Sequence, residues 1–252
     1  MNNSKENSIS NKECNGNMND NLCSNENDTG KNQELIKDFG QIILSNNDKG
    51  YKIHLLNIIG EIEGHENSAP ATKTSKYEHI IPLLAAVEEN KNIDGLLVLL
   101  NTIGGDVESG LAIAEMISSI SKPKVCLVLG GGHSIGVPLA VAGDVTFIAQ
   151  TATMIVHPIR VGGMVLGVKQ NFEYIERLQE RILDFTVRNS GVSKEVLKDR
   201  MFNTTELTKD IGSILVGEQA VDIGLIDHVG GINDALNELY DLINQRKNSK
   251  II

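Results

Sequence analysis

The pattern of apolar and polar positions divides the chain into a polar N-terminal tail and a long region of alternating strands and helices. Residues 1–32 are dominated by Asn, with Ser, Asp, Glu and Lys, and contain almost no aliphatic residues. Such a segment cannot bury enough apolar surface to offset its loss of conformational entropy, so we expect it to be disordered. Residues 33–50 are predicted to be a short helix or linker, because apolar residues between Gln33 and Leu44 recur at near-helical spacing.

Residues 51–245 carry the signature of one α/β domain. Leu96 to Leu100 is an uninterrupted apolar run, which is typical of a strand covered on both faces in a parallel sheet. Further strands are predicted at 53–59, 125–129, 144–149 and 153–156, and helices at 76–89, from 106 onward, at 170–188, 193–202 and 232–243. Strands that alternate with helices in this way predict an α/β fold. Residues 246–252 are expected to form a frayed C-terminus.

Two glycine-rich turns follow predicted strands and are the candidates for a functional site. They are Asn101-Thr102-Ile103-Gly104-Gly105 and Gly130-Gly131-Gly132-His133-Ser134-Ile135-Gly136. The carboxyl ends of parallel strands meet at one edge of a sheet, so we expect the two turns to lie close together. A serine between a strand and a helix N-terminus can present its hydroxyl to a substrate beside free backbone N–H groups. The alternative is that Ser134 is an ordinary helix N-cap.

A nucleophilic serine needs a base, and His157 is the candidate because it lies at the exit of the strand 153–156. The adjacent His133 is interpreted as turn or surface structure, and His54 and His65 as surface or edge-strand residues. The Gly104/Gly105 turn and the N–H of Ile135 could supply an oxyanion hole if the turns converge. The acid of a triad is left open among the downstream carboxylates, Asp184, Asp199, Glu206, Asp210, Asp222 and Asp227.

Composition narrows the class of protein. The formal charge of −10 argues against nucleic acid or an anionic membrane as the main partner. The three cysteines form no paired framework, which favours a reducing, cytoplasmic location. We find no signal peptide and no apolar run of about 18 residues that would span a membrane. The pattern predicts no metal and no cofactor.

Four segments in order resemble the motifs of the ClpP class of serine peptidases. They are Asn101–Gly105, Gly132–Gly136, Met154–Pro158 with Gly162-Gly163, and Glu218–Asp227. The resemblance covers roughly residues 51–245 and implies a ClpP/crotonase-like spiral of strand–strand–helix units, with a projecting "handle" helix from Gln170. It implies a serine endopeptidase that hydrolyses peptides or unfolded proteins through an acyl-enzyme.

The resemblance also implies roles for individual residues. Ser134 would be the nucleophile and His157 the base, and Gly104 and Ile135 would supply the oxyanion-hole N–H groups. Gly162 and Gly163 would pair with an extended peptide as an added strand. The acid is placed at Asp210 by a two-residue insertion, whereas an ungapped placement would put Gly212 there.

The same resemblance implies partners. Subunits of this class form homo-oligomeric rings that stack through their handle helices, and some dock an unfoldase ATPase. The loop Gly60 to Lys76 is longer than expected in the region used for docking, which argues against an ATPase partner here.

Three other functions fit part of the pattern. Gly132-x-Ser134-x-Gly136 matches the nucleophile elbow of α/β-hydrolases, in which His228 would be the base with Asp199 or Asp210. A non-catalytic ring scaffold or peptide-binding protein would keep the fold without the chemistry. A crotonase-like acyl-CoA enzyme would use similar oxyanion turns but would leave Ser134 and His157 without a role.

Overall fold

The computed structural model describes residues 41–46, 49–65, 68–69, 71–162, 167–205 and 211–249. The strands are β1 (Gln41–Asn46), β2 (Tyr51–Glu63), β3 (Thr74–Lys76), β4 (Gly95–Gly105), β5 (Lys124–Gly132), β6 (Val145–Ile148), β7 (Thr153–Val156), β8 (Ser213–Val216) and β9 (His228–Val229). The helices are α1 (Tyr77–Glu89), α2 (Val107–Ser119), α3 (Gly136–Ala140), α4 (Val168–Arg188), α5 (Lys194–Met201), α6 (Glu218–Asp222) and α7 (Ile232–Ser249).

The central sheet has the strand order β1-β2-β4-β5-β6-β9. Every neighbouring pair from β2 to β9 along this path is parallel, and β1 is antiparallel to β2. The strands β7 and β8 form an antiparallel pair beside the end of β5. This mixed α/β sheet agrees with the predicted fold class.

Helices cover the sheet on both faces, as the continuous apolar run in β4 predicts. Leu96, Val98 and Leu100 lie in the larger core cluster, which α1, α2 and α3 close. The alternate residue Leu97 points into a second cluster with Phe147 and the apolar face of α7. The side chains of Leu96, Leu97, Val98 and Leu100 are all fully buried, so β4 is the strand around which the layers are built.

The structure corrects the predictions for residues at both ends of the domain. Gln41 to Leu44, predicted as part of a short helix or linker, belong to β1, because Ile42 and Ile43 pair with Leu55 and His54 of β2. Residues 33–40 lie outside the described residues, as does the predicted disordered tail 1–32. At the other end α7 continues to Ser249, so 246–249 are helical rather than frayed.

The predicted polar loop Gly60 to Lys76 is also partly strand. Glu61 to Glu63 continue β2, and β3 pairs with them in parallel. The side chain of Glu63 is buried and bonds to Lys76 across this pair, 3.3 Å from Oε1 to Nζ. The two ends of the loop are therefore fixed to the sheet.

The long helix α4 projects with its first half. Val168, Phe172 and Tyr174 are exposed, whereas Leu178, Leu183 and Phe185 in its second half are buried. Two bidentate ion pairs hold the second half to α2, with contacts of 2.7–3.0 Å. They are Arg181 with Glu108 and Arg188 with Glu115, seven residues apart on both helices.

Candidate active site

Ser134 follows β5 and lies one residue before the N-cap of α3. Its φ is 56°, and it is the non-glycine residue with a positive φ among the described residues. Its backbone N–H donates to the Ile155 carbonyl at 2.9 Å, which fixes the turn to β7. The N-cap of α3 is Ile135, which makes no side-chain capping bond. The hydroxyl of Ser134 makes no hydrogen bond within the described part of the chain, so the structure does not support the N-cap interpretation.

The two glycine-rich turns meet at this serine. A Cβ placed on Gly104 would lie 2.7 Å from the Cβ of Ser134 and 3.3 Å from its Oγ. Gly104 also has φ +93°, a conformation that side chains rarely adopt. Only glycine therefore allows the backbone of the first turn to approach the hydroxyl so closely.

The two predicted oxyanion donors differ in their surroundings. The N–H of Gly104 donates to Oγ1 of Thr102 at 3.0 Å, and this buried hydroxyl in turn donates to the carbonyl of Gly60 at 2.6 Å. The N–H of Ile135 has no acceptor among the described residues. Its side chain is buried against Gly110 of α2, where a Cβ would lie 2.5 Å from Cγ1 of Ile135. The Ile135 amide is therefore a fixed, available donor, and the Gly104 amide is already occupied.

Two of the three glycines before His133 leave room for a polar side chain. Oδ1 of Asn101 lies 2.5 Å from where a Cβ of Gly130 would be, and it accepts the N–H of Gly131 at 3.0 Å. A Cβ on Gly131 would lie 3.1 Å from Cε1 and Nε2 of His133. The glycine run is thus a site of close packing rather than a flexible loop.

His157 follows β7 and is half-buried. Its Nδ1 lies 2.6 Å from the Pro158 carbonyl. A carbonyl can only accept, so Nδ1 carries the proton and Nε2 is left as the acceptor, which is the tautomer that a general base needs. No hydrogen bond joins His157 to the hydroxyl of Ser134 among the described residues. Such bonds are often long before substrate binds.

Gly212 packs directly against His157. With φ +139°, a Cβ on Gly212 would lie 2.8 Å from Cβ of His157 and 2.5 Å from the carbonyl oxygen of Val156. The ungapped placement of the acid therefore falls beside the base, but the residue there has no carboxylate. Asp210, the predicted acid, lies outside the described residues, as does Glu206.

The other candidates for the acid that lie within the described residues form no hydrogen bond or ion pair with His157. Asp184 pairs with Lys194 at 2.6 Å, and Asp227 accepts from the N–H and hydroxyl of Thr146. Asp199 and Asp222 are on α5 and α6.

His228, the base of the α/β-hydrolase alternative, is not brought to Ser134. Its ring packs on Phe147 with 5.3 Å between centroids. Phe147 pairs with Leu127 in the first half of β5, whereas Ser134 follows the end of that strand. The structure therefore does not bring His228 and Ser134 together, as an α/β-hydrolase site would require.

Two polar residues at the site were not singled out by the sequence analysis. His133, interpreted as turn or surface structure, is half-buried, and its Nε2 lies 2.8 Å from Oγ1 of Thr153. Burial and the neighbouring His157 lower the pKa of His133. The run of three glycines before His133 is the sequence signal that such a ring needs space. Thr102 gave no comparable signal, because its role depends on the register between β2 and β4.

The remaining predicted site residues are Gly162 and Gly163. Gly162 is exposed with nothing within 4 Å of a built Cβ, and Gly163 lies outside the described residues. The described residues contain no group of His, Cys, Asp and Glu that could hold a metal ion. Burial raises the pKa of the Cys126 thiol to about 12, so it is neither a ligand nor a nucleophile. No described helix is long and apolar enough to cross a membrane.

Comparison with known proteins defines the class. The sequence model of the Clp protease family matches residues 68–233, and the chain belongs to that family. It is 52% identical over 214 residues to the translocation-enhancing protein TepA of Halalkalibacterium halodurans, which covers 85% of this chain and 83% of the relative. It is 27% identical to proteolytic subunit 1 of the ATP-dependent Clp protease of Chlamydia muridarum, over 68% of this chain and 86% of the relative.

A solved structure shows the same fold. A point mutant of ClpP1 from Listeria monocytogenes superposes with a TM-score of 0.57 at 22% identity, over 72% of this chain and 94% of that one. The predicted resemblance to the ClpP class and the predicted ClpP-like α/β fold are therefore confirmed.

Proposed function

We propose that this chain is a serine endopeptidase that acts on peptides or unfolded proteins through an acyl-enzyme. The observation that carries the proposal is the left-handed turn at Ser134, which presents an unbonded hydroxyl against Gly104 and next to the Ile135 amide. A strained backbone at a serine persists only where the surrounding structure holds it, and such residues cluster at active sites.

The chemistry follows the roles of these residues. Oγ of Ser134 attacks the peptide carbonyl while Nε2 of His157 accepts its proton and then returns it to the leaving amine. The tetrahedral oxyanion is stabilised by the N–H of Ile135 and by the Gly104 turn, where the amide must exchange Thr102 for the substrate oxygen. Water then hydrolyses the ester, with His157 again as the base. Asp210 is proposed to orient His157.

The substrate is proposed to bind as an added strand. The extended segment after His157 leads through Gly162, which is exposed and uncrowded, into the proposed partner residue Gly163. Backbone hydrogen bonds to such a segment bind peptides with little dependence on sequence. We place this activity in the cytoplasm on the grounds of cysteine usage.

Labelling with a fluorophosphonate probe tests the proposal. We expect wild type to form a covalent adduct, and Ser134→Ala and His157→Ala to lose labelling by at least ~10³-fold, because the nucleophile and base act as a unit. His228→Ala is the matched histidine control and should label normally. Absence of labelling in an assembled wild type, or loss with His228→Ala alone, would contradict the proposal.

A homo-oligomeric ring is proposed as the assembly, since members of the Clp protease family form oligomeric rings. The sheet face that α7 covers continues beyond the helix as an uncovered apolar strip. It consists of Ile59, Ile103 and Leu129 on β2, β4 and β5, which are 47%, 67% and 43% exposed. Asn101, the ladder partner of Ile59, adds a polar group beside these side chains, and exposed apolar groups of this kind are typical of a protein–protein interface.

Sedimentation velocity tests the assembly. Wild type should sediment as an oligomer, and Ile59→Glu should shift the population towards the 27.4 kDa subunit because it places a charge in the strip. Ala85→Glu, on the exposed side of α1, is the control and should leave the oligomer intact. A monomeric wild type would contradict the ring.

A non-catalytic scaffold is the second candidate, and specific contacts favour it. Gly212 stands beside His157 where an acid would lie, Nδ1 binds a neutral carbonyl, and the Gly104 amide is occupied by Thr102. In this function the ring would bind extended peptides or partners without cleaving them. The similarity to TepA, whose name denotes enhanced translocation, and to subunits of an ATP-dependent protease makes a protein-handling partner part of either proposal.

A further inference from the structure

The ring of His133 joins the serine turn to the strand that carries His157. We propose that His133 is a positioning residue, whose hydrogen bond to Thr153 fixes β7 and therefore His157 relative to Ser134. This inference rests on the proposed peptidase function for its effect on rate, but the placement of His157 can be measured without it.

Met154 and Val156 anchor β7 in the larger core, but the strand makes few backbone contacts with β5. It has four residues, and its ladder with β5 consists of the one pair Gly131 with Thr153. The N–H of Ser134 adds a bond to the carbonyl of Ile155. Nε2 of His133 contributes the side-chain hydrogen bond, at 2.8 Å from Oγ1 of Thr153, and it acts at that same pair.

The position of Thr153 makes this bond important for the base. Thr153 begins β7 and His157 directly follows it, so a shift at the first residue is carried along the strand. The opposite neighbour, β8, pairs with all four residues of β7, and Gly212 immediately before β8 packs on His157. The His133 bond therefore ties the first residue of the β7–β8 pair directly to the serine turn.

The backbone of Gly131 packs against the ring of His133. A Cβ on this residue would lie 3.1 Å from both Cε1 and Nε2 of His133, closer than most carbon contacts. The ring therefore packs closely on the Gly131 backbone, where its rotation is limited. A side chain held by packing and one hydrogen bond is suited to positioning a neighbouring catalytic group.

The charge of His133 is consistent with this role. Burial and the neighbouring His157 both lower the pKa of His133, which favours its neutral form. A neutral ring adds no positive charge beside the imidazolium that forms on His157 during the reaction.

Paired variants test the inference through peptide hydrolysis. We expect His133→Ala and Thr153→Val to lower kcat by about 10- to 100-fold with little change in KM, because misplacing a catalytic group by about 1 Å costs about this much. The double variant should be no slower than either single variant, since both remove the same bond. His133→Gln and Thr153→Ser keep polar atoms and should recover most of the rate. His65→Ala, outside the serine turn, is the control.

A second measurement separates this inference from the proposed function. In protein labelled with ¹³C-histidine, the ring resonances of His157 should shift in His133→Ala and Thr153→Val, and return towards wild type in His133→Gln and Thr153→Ser. If wild type is inactive but these shifts occur, the peptidase function fails and the positioning role stands. Unchanged His157 resonances, or rate losses that multiply in the double variant, would overturn the positioning role.

Discussion

Asp210→Asn is expected to lower kcat/KM for peptide hydrolysis by about 10⁴-fold without loss of folding. Asparagine keeps the shape but stabilises the wrong tautomer of the base, and the same change in a serine-protease triad has an effect of this size. Asp210 precedes by two residues Gly212, which touches His157, and two residues span no more than about 7.6 Å between Cα atoms. The chain length therefore allows its carboxylate to reach Nδ1.

Steady-state hydrolysis and the rate of fluorophosphonate labelling should both show this loss. Asp222→Asn, a carboxylate at the end of α6, is the matched control and should retain full activity. Full activity in Asp210→Asn would exclude the triad, and the Pro158 carbonyl would then be the group that orients His157.

The stability of the folded chain is expected to fall by about 3 kcal/mol between pH 6.5 and pH 4 because of His54 alone. This side chain is 6% exposed, its Nε2 has no hydrogen-bond partner, and burial lowers its pKa to about 4. His54 binds a proton near pH 6.5 in the unfolded chain but not in the folded chain. Protonation therefore stabilises the unfolded state relative to the folded state as the pH falls through this window. Below pH 4 the histidine has no further effect.

Urea unfolding at a series of pH values measures this dependence. In His54→Leu the titrating group is absent, so its free energy of unfolding should fall less than that of wild type between pH 6.5 and 4. His65→Gln, outside the core, should follow the wild-type curve. Equal slopes in wild type and His54→Leu would show that His54 is not the source.

The sequence was sufficient to predict the central strands and the meeting of the two turns. The run Leu96 to Leu100 indicates a doubly covered strand, and β4 is one. Parallel strands place their carboxyl ends together, so the contact of Gly104 with Ser134 followed from the pattern. These features depend on the pattern of apolar residues along short segments and on the rule that parallel strands end at the same edge of a sheet.

Other features depend on pairing between distant residues and were missed. The apolar residues Ile42 and Ile43 are compatible with a helix or a strand. Their pairing with β2 is what makes this segment the strand β1. The same strand pairing covers His54, which the sequence analysis placed at the surface or an edge strand. β8 is four residues long with Ile214 and Val216 exposed, so its pattern is too short to be distinguished from a loop.

The candidate site likewise combines features that local sequence patterns predict with features that depend on distant residues. Ser134 and His157 were predicted because each follows a recognisable strand, and their roles stay predictions. The occupied amide of Gly104 could not, since the hydroxyl of Thr102 is held by the carbonyl of Gly60, 42 residues earlier. Nor could the packing of Gly212 on His157, which depends on the antiparallel register of β7 and β8.

The backbone of Ser134 sets folding stability against activity at a single residue. An L-residue in the left-handed region costs about 1–2 kcal/mol, and glycine would adopt φ 56° without that cost. Selection for stability alone would therefore replace Ser134 with glycine, and the hydroxyl would be lost with the strain. Glycine is therefore expected at this position in related chains that act only as scaffolds, and serine in those that use the hydroxyl.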